Sequence, residues 1–208
     1  MNETIKGGIV GSSTVLVGFP FDTIKTYTQN KQVLKYSIKN LYRGMSAPLG
    51  FSVIFNSSLF TLHNYFNKKI DNHFISGFIA GSVSAPIVST VELYKINKQL
   101  QQKFNMYRPF VGCGCSIGRE GIASAFYFGM YNYFKDEGHH PAVAGGIAGC
   151  SSWLFSYQID TIKTRIQSGS AKTYIDAIKQ GNLTRGLPVC LCRAGIVNSI
   201  GFCIYDIL

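Results

Sequence analysis

Five residues recur in the same order three times along this chain. Aligned on their acids, Gly7, Gly11, Asp22, Lys25 and Gln29 match Gly77, Gly81, Glu92, Lys95 and Gln99, then Gly145, Gly149, Asp160, Lys163 and Gln167, at offsets of 70 and 68 residues. Such a period constrains the architecture before any element is assigned. Each copy is one supersecondary unit, and the units must bury their faces against one another.

Every copy also has a second half, an apolar run that follows a basic link. These runs cover Ser46 to Asn67, Val111 to Lys135 and Leu187 to Leu208, alternating with Lys6 to Gln29, Phe74 to Gln99 and Ala142 to Gln167. A helix needs about 20 residues to cross a bilayer core, and each run supplies them. Sustained period-two alternation is absent, and an open sheet would leave backbone groups unpaired in lipid. With 46% hydrophobic and only 14% charged residues among 208, the chain suits a small membrane domain better than a soluble one. The prediction is an all-α membrane protein: one domain, 1–208, with six transmembrane helices in three pseudo-repeats, near 1–70, 71–138 and 139–208, around a central cavity.

Glycines four apart give a helix a bare face on which a neighbour can lie close, which is a packing role. The acid, the Lys three residues on and the Gln four beyond that also share a face. A membrane helix cannot easily turn that face to lipid, so it points to a cavity or another helix. With three equivalent copies, the simplest satisfaction is a ring that pairs Asp22 with Lys95, Glu92 with Lys163 and Asp160 with Lys25. Partly hydrated pairs are worth about 1 kcal/mol each. Such a ring is a latch that can open, and a latch across a water-accessible cavity is a gate. The same ions would also serve if they only stiffened helix ends, and the sequence leaves both readings standing.

Lys and Arg outnumber Asp and Glu by 20 to 10, so anionic solutes and lipid head groups are favoured partners. No basic run, zinc-ligand spacing or aromatic platform accompanies that charge, and nucleic acid is not an expected partner. Cys113, Cys115, Cys150, Cys190, Cys192 and Cys203 include C-x-C pairs but no C-x-x-C, so they read as small packing residues and no metal is expected. His63, His73, His139 and His140 read as helix-end or loop residues. No nucleophile, base and orienter cluster stands out, and phosphate-cradling loops are missing, so neither an enzyme nor a cofactor is expected. The start, "MNETIKGGIVGSS", lacks the pattern of a removable secretory signal.

These residues resemble the mitochondrial carrier family, whose repeats carry P-x-[D/E]-x-x-[K/R] ahead of a glutamine and later an aromatic, a basic residue and Gly. "PFDTIKTYTQ", Pro20 to Gln29, fits the first motif and "YRG", Tyr42 to Gly44, the second. "QIDTIKTRIQ", Gln158 to Gln167, and "TRG", Thr184 to Gly186, fit with substitutions. The resemblance implies that Asp22, Lys25, Glu92, Lys95, Asp160 and Lys163 form a matrix-side gate, braced by Gln29, Gln99 and Gln167. It implies a monomer in the mitochondrial inner membrane, with another organelle membrane as the alternative, and cardiolipin docked at the "YRG" and "TRG" links by Arg43 and Arg185.

Departures from the family pattern carry their own expectations. The motif proline survives only as Pro20, with Thr90 and Gln158 in the other copies, so two helices should lack the usual kink. The link from Gln99 to Tyr107 is short, which implies trimmed matrix helices in the second repeat. Even helices of the family end in an aromatic, an acid and a base, but here Asn64 and Asn132 replace acids. A cytosolic gate is reduced to Lys68, Lys135 and Asp206, with one possible link from Asp206 to Lys68. A poorly latched cytosolic side would favour the state open to it.

Twelve residues before His63, Tyr131 and Tyr205 stand Phe51, Arg119 and Arg193, at one depth about 18 Å below by helix rise. In the family this depth holds substrate contacts, so Arg119, Glu120 and Arg193 are the candidate binding residues. An internal ion pair without a ligand is the other reading of Arg119 and Glu120. "YRGMSAP", "REGIASAFYFGMY", "AGGIAGCSSW" and "RAGIVNS" look most like the branch that carries carnitine, acylcarnitines and basic amino acids. Arginine clamps a carboxylate and an adjacent acid holds an ammonium, which suits a zwitterion. Phe55 and Phe19 depart from residues of that branch, and the alternatives are a carrier of nucleotides or other phosphates and a shortened, non-transporting relative.

Overall fold

The computed structural model describes residues 3–31, 33, 37–101, 110–194 and 196–197, and among them it is helical with no strand. Five long helices are α1 (Glu3–Gln29), α3 (Ser46–Ile70), α4 (His73–Gln99), α5 (Cys113–Asp136) and α6 (Pro141–Gln167). Two short ones, α2 (Ile38–Leu41) and α7 (Tyr174–Lys179), lie in the links that follow α1 and α6. A further helix, α8, runs over 187–194. The long helices begin and end within a few residues of the apolar runs that predict them. The last run is described only in its first part, and Asp206 and Tyr205 lie outside the described residues.

Local chemistry sets the boundaries. The Asn72 side chain accepts from Ile75 N at 3.0 Å and starts α4, while Asp71, left-handed at φ 50°, ends α3 one residue earlier. Thr173 and Asp176 form a capping box on α7. The links "YRG" and "TRG" each end on a left-handed glycine, Gly44 at φ 87° and Gly186 at φ 94°. In the second repeat that position is Gly112, at φ 77° and directly before α5. Tyr107, the start of that link in the sequence reading, lies outside the described residues.

Helices adjacent in sequence pack together, α3 on α4, α4 on α5 and α5 on α6, while α1, α4 and α6 touch one another. The closest backbone approach is made by the glycines of α4: a Cβ on Gly81 would stand 2.3 Å from the Glu120 carbonyl oxygen of α5, and one on Gly77 2.6 Å from that of Ser124. The α6 counterpart of Gly77, Gly145, has nothing within 4 Å, so the matched glycines do not share one packing role. On α1, Gly18 faces Arg193 and Val197, which brings the last helical segment against the first.

Among the described residues many polar side chains are buried and many large apolar ones are exposed. The largest fully buried side chains include Arg165, Lys163, Gln29 and Gln99, whereas Phe78, Val83 and Ile87 of α4 and Leu154 and Phe155 of α6 are exposed. Among the described helices, His73–Gln99 alone is long and apolar enough to cross a membrane by composition. In α3 and α6 the first 18 residues carry no charge, but Ser, Gly, Asn and Gln among them lower the hydropathy below that standard.

Candidate functional site

The repeated acids and lysines meet where α1, α4 and α6 converge. Lys95 Nζ lies 2.6 Å from Asp22 Oδ2, Lys25 Nζ lies 2.5 Å from Asp160 Oδ2, and Lys163 Nζ donates to Glu92 Oε2. The pairs run in one sense around the molecule. The lysine of α1 reaches the acid of α6, that of α6 the acid of α4, and that of α4 the acid of α1.

The glutamines cross the same boundaries. Gln29 donates to Asp160 Oδ2 at 2.9 Å and to Thr161 Oγ1 at 3.2 Å. Gln99 donates to Thr23 Oγ1 at 3.0 Å and accepts from Thr26 at 2.9 Å. Gln167 reaches Ser89 through its backbone oxygen and its hydroxyl, each at 3.3 Å. Thr23 and Thr161 each follow their acid directly, but Leu93 stands there in α4 and offers no hydroxyl, so Gln167 uses Ser89, one turn earlier. Of the three amides, Gln29 alone is hydrogen-bonded to a ring acid; the others hold neighbouring hydroxyls.

The candidate binding residues join this ring. Arg119 pairs with its neighbour Glu120 and its Nε lies 3.5 Å from Asp160 Oδ1, while Arg193 Nε lies 2.8 Å from Asp22 Oδ1. Asp160 and Asp22 therefore each face one ring lysine and one arginine. A cavity of about 390 Å³ lies over them, lined by five cationic side chains (Lys25, Lys95, Lys163, Arg119, Arg193) and four acidic ones (Asp22, Glu92, Glu120, Asp160). Phe51 and Phe55, stacked at 6.1 Å, line the same cavity. A second cavity of about 290 Å³ shares Arg119, Glu120 and Trp153 and continues to Leu59, Phe60 and Tyr127.

Trp153 and Arg165 escape a reading of motifs. The Trp153 ring carries Lys25 Nζ at 4.3 Å and Arg119 Cζ at 5.2 Å, so one aromatic ring serves two of the site's cations. Its signal was its position seven residues before Asp160, two helical turns away on one face. Arg165 is fully buried and donates to the carbonyls of Gln29 (3.3 Å), Ala177 (2.8 Å) and Gly181 (2.8 Å). It ties α7 and the third link to the end of α1. The other copies carry Tyr27 and Asn97 at that position, so the repeat pattern hid it.

At the end away from the ring, Lys68 is exposed and the Lys135 Nζ sits 5.9 Å from the Tyr131 ring of its own helix. Asn132 donates to the Phe128 carbonyl at 2.8 Å, turned to its own backbone. Arg43 is half-buried and Arg185 exposed, each beside a left-handed link glycine.

Comparison with known proteins gives a consistent picture. Residues 136–208 match the profile described as mitochondrial carrier protein. The chain is 27% identical to the mitochondrial arginine transporter BAC2 of Arabidopsis thaliana over 99% of this chain and 89% of that protein. It is 30% identical to a mitochondrial basic amino acids transporter of Bos taurus, over 94% and 86% of the two chains. To the mitochondrial carnitine carrier of Saccharomyces cerevisiae it is 28% identical, over 88% and 76%.

Proposed function

This chain belongs to the mitochondrial carrier family, and from that premise we propose that it exchanges a small carboxylate-bearing or zwitterionic metabolite across the mitochondrial inner membrane by alternating access. The observation that carries the reading is the cyclic set of Lys–acid pairs joining α1, α6 and α4 beneath a charged cavity. In this reading the pairs are the matrix-side gate, Gln29, Gln99 and Gln167 brace it, and the exposed apolar side chains face lipid. The chain works as three repeats of one domain, probed from the side opposite the ring.

Arg119 and Arg193 are the substrate's carboxylate contacts, and Glu120 meets its ammonium. A solute that takes the arginines draws them from Asp160 and Asp22, which couples binding to the ring that must open. The relatives named for arginine, basic amino acids and carnitine all handle solutes with a carboxylate and a cationic group, which fits this assignment. Nucleotides and other phosphates are the alternative cargo, and Glu120 opposes them by repulsion. Arg43 and Arg185, beside the starts of α3 and α8, are the proposed cardiolipin contacts.

Exchange into liposomes tests the reading. Labelled carnitine or arginine should enter against the same internal solute, and uptake should vanish in Arg119→Ala and Arg193→Ala but persist in Lys179→Ala, an exposed site on α7. Flux confined to nucleotides would replace the substrate class. No flux with any carboxylate, zwitterion or phosphate would favour a non-transporting relative.

A further inference from the structure

Beyond the ion pairs the site has a second chamber of different character. This cavity of about 290 Å³ shares Arg119, Glu120 and Trp153 with the charged one, and Leu59, Phe60, Ala123 and Tyr127 complete most of its wall. Leu59 lies one turn beyond Phe55 on α3, and Tyr127 two turns beyond Arg119 on α5, so the chamber extends from the ions toward the end opposite the ring. Apart from Arg119 and Glu120, none of its lining residues is charged.

The junction of the two chambers suits a zwitterionic head. Arg119 Nε is buried and makes no hydrogen bond, which leaves a donor for a carboxylate, and Glu120, 5% exposed, stands beside it for an ammonium. Whatever arm the solute carries must then enter one chamber or the other. In the charged chamber five cationic side chains face four acidic ones, so a distal cation would add to a surplus of its own sign. In the second chamber a distal cation finds no acid beyond Glu120. Trp153, the best ring for a cation, already carries Lys25 Nζ at 4.3 Å and Arg119 Cζ at 5.2 Å. Phe60 stands edge-on to Phe128, with ring centroids 5.2 Å apart, which steadies it as a wall. An uncharged aromatic arm is buried here against Phe60, Tyr127 and Trp153, where offset and edge-to-face stacking are open to it.

We propose that the second cavity is a subsite for an uncharged aromatic arm, so that the solute is an aromatic amino acid held by its carboxylate and ammonium at Arg119 and Glu120. The inference rests on the head-group contacts of the transport reading and adds what the solute carries beyond them. A basic amino acid is the solute that both chambers select against.

Trp153 is the single tryptophan, and its emission reports on the chamber wall. With the full chain in detergent, excited where phenylalanine does not absorb, L-phenylalanine should change that emission saturably at a concentration at least tenfold lower than L-arginine or L-alanine does. It should also raise the unfolding temperature. Leu59→Glu adds an acid to the same wall and should invert the order of phenylalanine and arginine. Ala123→Leu fills the chamber and should cut the preference for phenylalanine over alanine at least tenfold; should it fail to fold, Leu59→Glu decides the matter. Arginine binding as tightly as phenylalanine, a ranking unmoved by Leu59→Glu, or no response of emission or unfolding temperature to phenylalanine overturns the inference. Exchange of labelled phenylalanine in proteoliposomes tests transport separately. Saturable binding without exchange of any solute would overturn the transport reading and leave the subsite standing, whereas exchange of arginine or carnitine in preference to phenylalanine would keep that reading and overturn the subsite.

Discussion

Asp160 is more heavily engaged than its counterparts in the other repeats. Its carboxylate accepts from Lys25 and Gln29, faces Arg119 at 3.5 Å, and is 5% exposed, whereas Asp22, with Lys95 and Arg193, is 19% exposed. Removing one partner of a buried charged pair costs about 3–5 kcal/mol, because the remaining charge is left uncompensated in a low dielectric. Water reaches the cations around Asp22 more readily and screens them. Asp160→Asn should therefore lower the unfolding temperature in detergent clearly more than Asp22→Asn does. Equal losses would mean that the ring distributes its charge evenly and that burial at Asp160 is immaterial. The same substitution leaves Lys25 and Arg119 on the ring of Trp153, the single tryptophan, so a shift in its emission should accompany the loss.

At the scale of helices, the matched glycines make a sharper experiment than their shared spacing implies. A methyl on Gly77 would run into the Ser124 backbone of α5, which cannot move aside without shifting a helix, while a methyl on Gly145 meets open space. Gly77→Ala should destabilise by about 1–3 kcal/mol through overpacking. Gly145→Ala should be neutral or stabilising, by up to about 1 kcal/mol from helix propensity. Thermal unfolding of the two variants would show it, and similar losses would remove the idea that Gly77 and Gly145 differ in packing role. This asymmetry marks the limit of what was legible in the sequence. Helix positions were readable because apolar run length and a repeated period are local properties. The partners within the ring were readable because repeat numbering itself names neighbours. Arg119 and Arg193 could be given a depth but not their contacts with Asp160 and Asp22, since nothing local sets the register of one helix against another. Gly112 was missed for a related reason: Val111 stands where the other links have arginine, so the backbone turn persisted while its charge signal did not.

For the molecule as a whole, the decisive contrast is between its two ends. One end is tied by cyclic ion pairs, by Arg165 on the carbonyls of Gln29, Ala177 and Gly181, and by Lys31 on the Gln180 carbonyl at 2.9 Å. At the other, among the described residues, Lys68 and Lys135 are exposed, Asn64 and Asn132 are amides, and no ion pair joins two of the long helices. A two-state carrier shifts toward whichever state its latches favour, and a difference of about 1.4 kcal/mol moves that ratio tenfold. With latches among the described residues on one side only, the resting protein should keep its cavity open to the side opposite the ring. In a background freed of native cysteines, Phe55→Cys places a thiol on the cavity wall, and an impermeant thiol reagent added from that side should label most of the protein. Adding Asn64→Asp and Asn132→Asp supplies carboxylates on the helices that carry Lys68 and Lys135, and labelling should fall several-fold as a second latch forms. High salt should reverse the fall, because exposed pairs are screened. Labelling that is already low in the parent, or that ignores the new acids, would mean that apolar contacts rather than ionic ones decide which end of this molecule is closed.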